Sequence, residues 1–204
     1  MSDDTPSRRS SYHHGDLRAQ LIAAVRDLVE AHGPDGFSVA EAARQAGVSS
    51  AAPYKHFRDR PELLRAVAAE GMDRLRDAME AGLAQHPAGS LQSVAAIGQA
   101  YVDFARGGPG VFRLVFGLTE GHEGDPLLQE KGSSCFGVVL RATAAVLHLP
   151  MEDAAVRERA YMLWTCVHGH SFLTIDRKTE GKFDMSGDWA YLMGISAAIL
   201  GPRG

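Results

Sequence analysis

Apolar residues recur at helical spacing along nearly the whole chain, and strand-like alternation does not appear. Leu17, Leu21, Val25, Leu28 and Val29 form the first such run. Asp16 is a good N-cap for it, and Gly33 within His32-Gly33-Pro34-Asp35-Gly36 is suited to end it. Ser38 and Glu41 have the spacing of a capping box that opens a second helix. Gly47, in Ala46-Gly47-Val48, supplies a tight turn because a positive φ costs glycine little. Ser49 then caps an expected third helix in which Pro53 sits early enough to lose at most one backbone bond. Beyond it the spacing predicts a long helix from Pro61 to about Ala84, then Leu91 to Arg106 and a short apolar helix at 111–117. Leu127 to His148, Ala154 to Lys178 and Asp188 to Leu200 complete the set. The expectation is an all-α protein of about nine helices, three small ones followed by a larger bundle.

The last two helices are apolar on more than one face. Leu163, Val167, Ser171 and Thr174 make one stripe, and Tyr161, Trp164, His168, Phe172 and Ile175 make another beside it. A helix apolar all round is buried all round. One side is expected to face the bundle and the other a second subunit, with Leu163, Val167, Ser171, Trp189, Met193 and Ile199 as the candidate dimer interface. The alternative is a pair fully internal to a monomer.

Composition narrows the class. A chain of 204 residues with 45% apolar content can bury a real core in one or two domains. Its longest apolar stretches are broken well before 18 residues, so no membrane span is expected. The first ten residues lack the apolar run of a signal peptide, which points to the cytoplasm. Cys135 and Cys166 stand far apart without CxxC spacing, which excludes a disulfide scaffold and most structural zinc sites. His13-His14, His122-Glu123 and the His168/His170 pair have no metal-ligand spacing, so no metal or cofactor is expected.

The net charge of −4 does not suggest nucleic acid, but the placement of the basic residues does. Arg8 and Arg9 lie in an arm without periodicity. Lys55, Arg58 and Arg60 gather around the third helix. Neutralising phosphates takes local clusters of this kind rather than a basic protein. A helix, a Gly turn and a second helix ending in aromatic and basic residues can place a helix in the major groove of DNA. Base contacts are expected from the start of the third helix, at Ser49, Ser50, Ala51 and Lys55.

From about Tyr12 to Leu64 the chain resembles the DNA-binding domain of the TetR/AcrR family of bacterial repressors. The resemblance is carried by Gly36-Phe37-Ser38, Ala43-Arg44-Gln45-Ala46-Gly47-Val48-Ser49, Tyr54-Lys55-His56-Phe57 and the basic residue Arg60 followed by Glu62-Leu63-Leu64. Tyr12 to Arg18 and Ala51 to Phe57 resemble one subgroup, whose C-terminal half carries a Trp-x3-His-Gly element, here Trp164, His168 and Gly169. The resemblance implies phosphate contacts by Tyr54, His56 and Arg60 and a helix-turn-helix over about 38–57 that starts at Ser38. The expected division is a flexible basic arm at 1–15, a DNA-binding domain at 16–60 and a ligand-binding and dimerisation domain at 61–204. Arg8 and Arg9 are candidates to enter the minor groove.

Tyr101, Phe104, Phe112, Phe116, Trp164 and His168 are candidates to line a ligand cavity, aromatic walls with a few polar groups. The leading functional expectation is a homodimeric, ligand-responsive regulator, a repressor by family habit, released from a pseudo-palindromic operator by a small molecule. An architectural DNA-binding protein without ligand is the alternative, to be told apart by whether the bundle is filled. An all-α enzyme using His168 with Asp176 or Glu158 has no motif behind it, and the protein is expected not to be an enzyme.

Overall fold

The computed structural model describes residues 12–117, 124–178 and 187–201, with the backbone alone for 12–16. It contains eight α-helices among the described residues: α1 Tyr12–His32, α2 Val39–Gln45, α3 Arg60–Leu83, α4 Leu91–Gly107, α5 Pro109–Phe116, α6 Pro126–Leu147, α7 Ala154–Ile175 and α8 Asp188–Leu200. Apart from one 3-10 element at Pro53–Lys55 the described residues are otherwise turns and loops, and the fold is all-α. Chain contacts divide the molecule into two units, Met1–Ala68 and Ala69–Gly204, with the boundary inside α3.

In the first unit α1 starts four residues before Asp16, which lies inside the helix rather than capping it. Nothing between Tyr12 and Asp16 forbids helix except Gly15, which costs only about 1 kcal/mol. Residues 12–15 are therefore helical and not part of an arm, while Arg8 and Arg9 fall outside the described residues. Leu21, Val25, Leu28 and Val29 are buried with Phe37, Ala42, Ala43, Phe57, Leu63 and Val67. Ser38 caps α2 by accepting the Glu41 N–H at 3.1 Å. Gly47 follows α2 at φ 70°, a conformation that side chains resist, and Val48 N–H bonds back to Ala43 O at 2.9 Å.

The third helix expected from Ser49 is not an α-helix. Residues 50–56 form turns around one 3-10 element, Pro53–Lys55. Pro53 has no N–H to give to Ser49 O, and Ala52 N–H takes that carbonyl instead at 2.9 Å. The tighter pattern continues with Lys55 N to Ala52 O and His56 N to Pro53 O. Pro53 itself is buried. Asp59 then accepts the Glu62 N–H at 2.8 Å, and Glu62 accepts the Arg58 N–H at 2.7 Å, a reciprocal cap that starts α3.

In the second unit α4 is the hub and packs on α5, α6, α7 and α8. Leu75, Met79, Val102, Phe112, Val138, Leu163 and Leu192 share its core. Gly98 permits the close approach of α4 and α8, since a Cβ there would lie 2.8 Å from a Leu192 methyl. Asp188 links three helices: it accepts hydrogen bonds from Arg106 at the end of α4 and lies 2.9 Å from His170 Nε2 on α7. Among the described residues no helix is long and apolar enough to cross a membrane.

Candidate functional site

The two units carry two different candidate sites. In the first, Ser49, Ser50, Ala51, Tyr54 and Lys55 are all exposed, and Tyr54 keeps 60% of its surface. The turn at Gly47 and the 3-10 element hold them in one short segment, anchored from beneath by buried Pro53 and Phe57. Such a row offers hydroxyl, methyl and ammonium groups to a partner. Ser38 is exposed too, but its hydroxyl is committed to the α2 cap. His56 is half-buried.

Arg60 does not join this row. Its guanidinium donates to the Pro34 carbonyl, stands 3.6 Å from Asp35 and lies over the Phe37 ring at 4.8 Å. It fastens the loop after α1 to the start of α3, so the group expected at a phosphate is engaged within the unit. One exposed cation was missed, Arg44 in the last turn of α2, while Arg58 of the expected basic cluster is exposed before α3. Arg44 lies within the quoted Ala43-Arg44-Gln45 motif, and its place one turn before Gly47 was the available signal.

The second site is a cavity of about 240 Å³ inside the second unit, between α3, α4, α6 and α7. Met72, Leu75, Met79, Tyr101, Phe116, Gly132, Cys135, Phe136, Val139 and Trp164 line it. A smaller void of about 30 Å³ adjoins it across Met79, Tyr101, Val139 and Trp164. Three of the six expected pocket residues, Tyr101, Phe116 and Trp164, are therefore walls. Phe112 is fully buried behind them in the core. Phe104 lies elsewhere, beneath the Arg74 guanidinium at 5.8 Å and on an open groove between α3 and α4. Met72 and Met79, seven apart on α3, and Gly132, Cys135, Phe136 and Val139 on α6 were missed. Their helical spacing was visible, but residues beside a void and residues in a filled core share that spacing.

His168 lies behind the cavity walls Tyr101, Phe116 and Trp164. Its Nδ1 lies 2.8 Å from Tyr101 Oη, and Phe112, Phe116, Trp164 and Phe172 surround its ring at centroid distances of 5.0–5.9 Å. Burial holds the imidazole below its ordinary pKa and therefore neutral. Burial also raises the Tyr101 phenol, against a smaller lowering by the Trp164 indole N–H. Tyr101 Oη and His168 Nδ1 thus share one hydrogen bond in an aromatic surround. Asp176, one of the two carboxylates considered beside His168, is bound instead by Arg113 at 2.7 Å and Lys178 at 3.2 Å. Burial pushes the Cys135 thiol up to about 11, and Sγ donates to Met72 O at 3.3 Å.

The stripe expected at a dimer interface faces inward. Leu163, Val167 and Ser171 are buried within the unit, and Ser171 Oγ donates to Val167 O. Met193 and Ile199 are half-buried and pack on the core, leaving Trp189 as the exposed member. The outward face of α7 instead carries Tyr161, Met162 and Leu173, each at least 44% exposed. Beside it α8 exposes Ala190, Gly194, Ala197 and Ala198.

Two family models match the chain: the bacterial regulatory proteins of the tetR family at residues 21–67, and the tetracyclin repressor-like C-terminal domain at 94–193. Together they span most of its length.

The chain belongs to the TetR family.

This TetR-family chain has a DNA-binding helix-turn-helix in its first unit, by the family model that covers it. Among solved structures, a protein of unknown function from Rhodococcus sp. RHA1 is 28% identical, covering 94% of this chain and 97% of that one with a TM-score of 0.77. A tetR-family transcriptional regulator from Streptomyces coelicolor shares the fold at 16% identity, TM-score 0.68, covering 89% and 80%. So does the transcriptional regulator FadR from Bacillus subtilis, in complex with stearoyl-CoA, at 16% identity and TM-score 0.63, covering 91% and 99%. No curated protein matches the chain.

Proposed function

We propose that this TetR-family transcriptional regulator is a cytoplasmic homodimer that binds a pseudo-palindromic operator and leaves it when a small molecule enters the second unit. The observation that carries the reading is the exposed row Ser49, Ser50, Ala51, Tyr54 and Lys55 within the matched DNA-binding region. Ser and Lys reach base edges, Ala touches a thymine methyl, and Tyr54 and His56 contact phosphates. Arg44 joins them as an added phosphate contact. Arg8 and Arg9 serve as an arm in the minor groove.

The ligand part rests on the cavity. An apolar cavity of this size costs on the order of several kcal/mol relative to a packed core, at about 24 cal/mol per Å³. The cavity favours this reading over an architectural protein, for which a filled bundle was expected. The dimer part rests on the outward faces of α7 and α8, where apolar side chains and small residues are exposed together. Because α3 belongs to both units, it is the element through which occupancy can bias half-site spacing. The coupling is reciprocal, so operator DNA weakens ligand binding by the same factor.

The test is a titration of purified protein against DNA from upstream of its own gene, with random duplex as competitor, at two salt concentrations. Competitor-resistant, salt-dependent binding with two protomers per site is expected. Binding equal to random duplex, before and after refolding to strip any ligand, refutes the reading.

A further inference from the structure

The cavity walls restrict the chemistry of whatever fills them. Among the described residues no Lys, Arg, His, Asp or Glu lines the cavity. The cations flanking its walls at Met72 and Gly132 are already paired, and Arg74 stands 3.7 Å from Glu70 and over the Phe104 ring. Arg76 donates to Asp73 at 3.1 Å and to Asp77 at 2.7 Å. Lys131 Nζ bonds both oxygens of Asp73 at 2.6 and 2.7 Å. A carboxylate or phosphate brought here would have to break these pairs to find a counter-charge.

The polar wall groups are committed as well. Tyr101 Oη is bonded to His168 Nδ1, and Cys135 Sγ bonds Met72 O. A ligand therefore meets aromatic faces, thioethers and aliphatic carbon. An engineered apolar cavity of about 150 Å³ in another protein binds benzene. A cavity of about 240 Å³ suits a molecule of roughly ten non-hydrogen atoms on that scale.

We infer that the effector of this regulator is a compact, uncharged aromatic or alicyclic molecule of naphthalene size, bound by shape and apolar contact without a hydrogen bond. The inference rests on the ligand-responsive reading above and gives that site its ligand class. It separates this chain from the solved FadR structure, whose bound molecule is a long-chain acyl thioester with an anionic head.

Gly132 provides a variant that tests the site without harming the fold. It lies within α6 and lines the cavity, and a Cβ built on it meets nothing within 4 Å. Gly132→Leu places a side chain in that opening and replaces a helical glycine with a good helix former. Binding of naphthalene, 2-naphthoate and stearoyl-CoA is measured by calorimetry on the full chain and on Gly132→Leu, with melting curves for both. Naphthalene should bind at least tenfold more tightly than 2-naphthoate, and Gly132→Leu should weaken it at least tenfold with an unchanged or raised Tm. Cys135→Leu, which narrows the same cavity from the next turn, replaces Gly132→Leu if that variant melts early. The inference is overturned if 2-naphthoate or stearoyl-CoA binds more tightly, if naphthalene does not bind, or if the filled variants bind it unchanged. Operator preference is recorded on the same preparation. Its presence without naphthalene binding overturns the ligand class alone, and naphthalene binding without it overturns the regulator reading alone.

Discussion

Tyr54 and Tyr101 put the same side chain to opposite uses. Tyr54, in the first unit, keeps 60% of its surface on a segment of turns and 3-10 geometry. Tyr101, in the second, keeps 5%, has its hydroxyl hydrogen-bonded to His168 and lines a cavity. A surface that reads a polar partner needs unsatisfied donors and acceptors, which is affordable where water can satisfy them until the partner arrives. A cavity for an apolar partner needs the reverse, because every unpaired polar group inside it carries a desolvation penalty of about 1–3 kcal/mol. The two regions are thus distinguished by where their hydrogen bonds end rather than by composition.

The contrast can be broken first at Phe112. It is fully buried beside Tyr101, Phe116 and His168, and Phe112→Ala should cost the second unit about 3–5 kcal/mol. Tyr54→Ala should leave the melting curve within about 0.5 kcal/mol of wild type while weakening DNA binding. Equal melting of the two variants would erase the distinction.

Next in size is Arg60→Ala. Losing the bond to Pro34, the neighbouring Asp35 charge and the Phe37 contact should destabilise the first unit by about 2 kcal/mol. DNA affinity should fall only as far as that unfolding dictates, so a temperature at which the variant is folded restores it. A loss of affinity with unchanged melting would reinstate Arg60 as a phosphate contact. Smaller still, Lys55→Ala should lower the preference for operator over random duplex about tenfold, near 1.4 kcal/mol, while random-duplex affinity changes little. Competition binding decides it.

The gentlest effect is in pH. His168 is held neutral by burial, with a folded pKa below the unfolded value of about 6.5. The unfolded state binds the proton first as pH falls, so this contribution is intact above about 6.5 and is lost progressively below it, at no more than about 1.4 kcal/mol per pH unit. His168→Gln should flatten that part of the stability curve in denaturant titrations. An unchanged slope would place the titrating group elsewhere.

The helices were legible in the sequence wherever polar and apolar faces differ, and α3, α4 and α8 came within a residue or two of their expected ends. Gly33 and Gly47 announced their turns because their positive φ values favour glycine. The left-handed turn after α7 at Arg177 carries no glycine, and the expected helix ran past it to Lys178, whereas α6 ends within a residue of its expected end at His148. The segment after Ser49 failed as a helix because Pro53 falls where the first complete turn needs an N–H. On α7 the sequence could not choose which stripe faces inward, since Leu163-Trp164-Thr165-Cys166-Val167 is apolar on nearly every side. The cavity was only half legible: aromatic residues pointed toward it, but an empty space is a result of packing and leaves no periodic mark.

The central claim is that the exposed row in the first unit specifies a duplex sequence. Selection of a random-sequence duplex library by the wild-type protein, repeated with Lys55→Ala, tests it most directly. The account predicts enrichment of a pseudo-palindrome whose half-site centres lie about one helical turn apart, roughly 34–36 Å, with weaker enrichment for the variant. A library that leaves the wild-type protein with no enriched sequence, or with one that Lys55→Ala enriches equally, would contradict it.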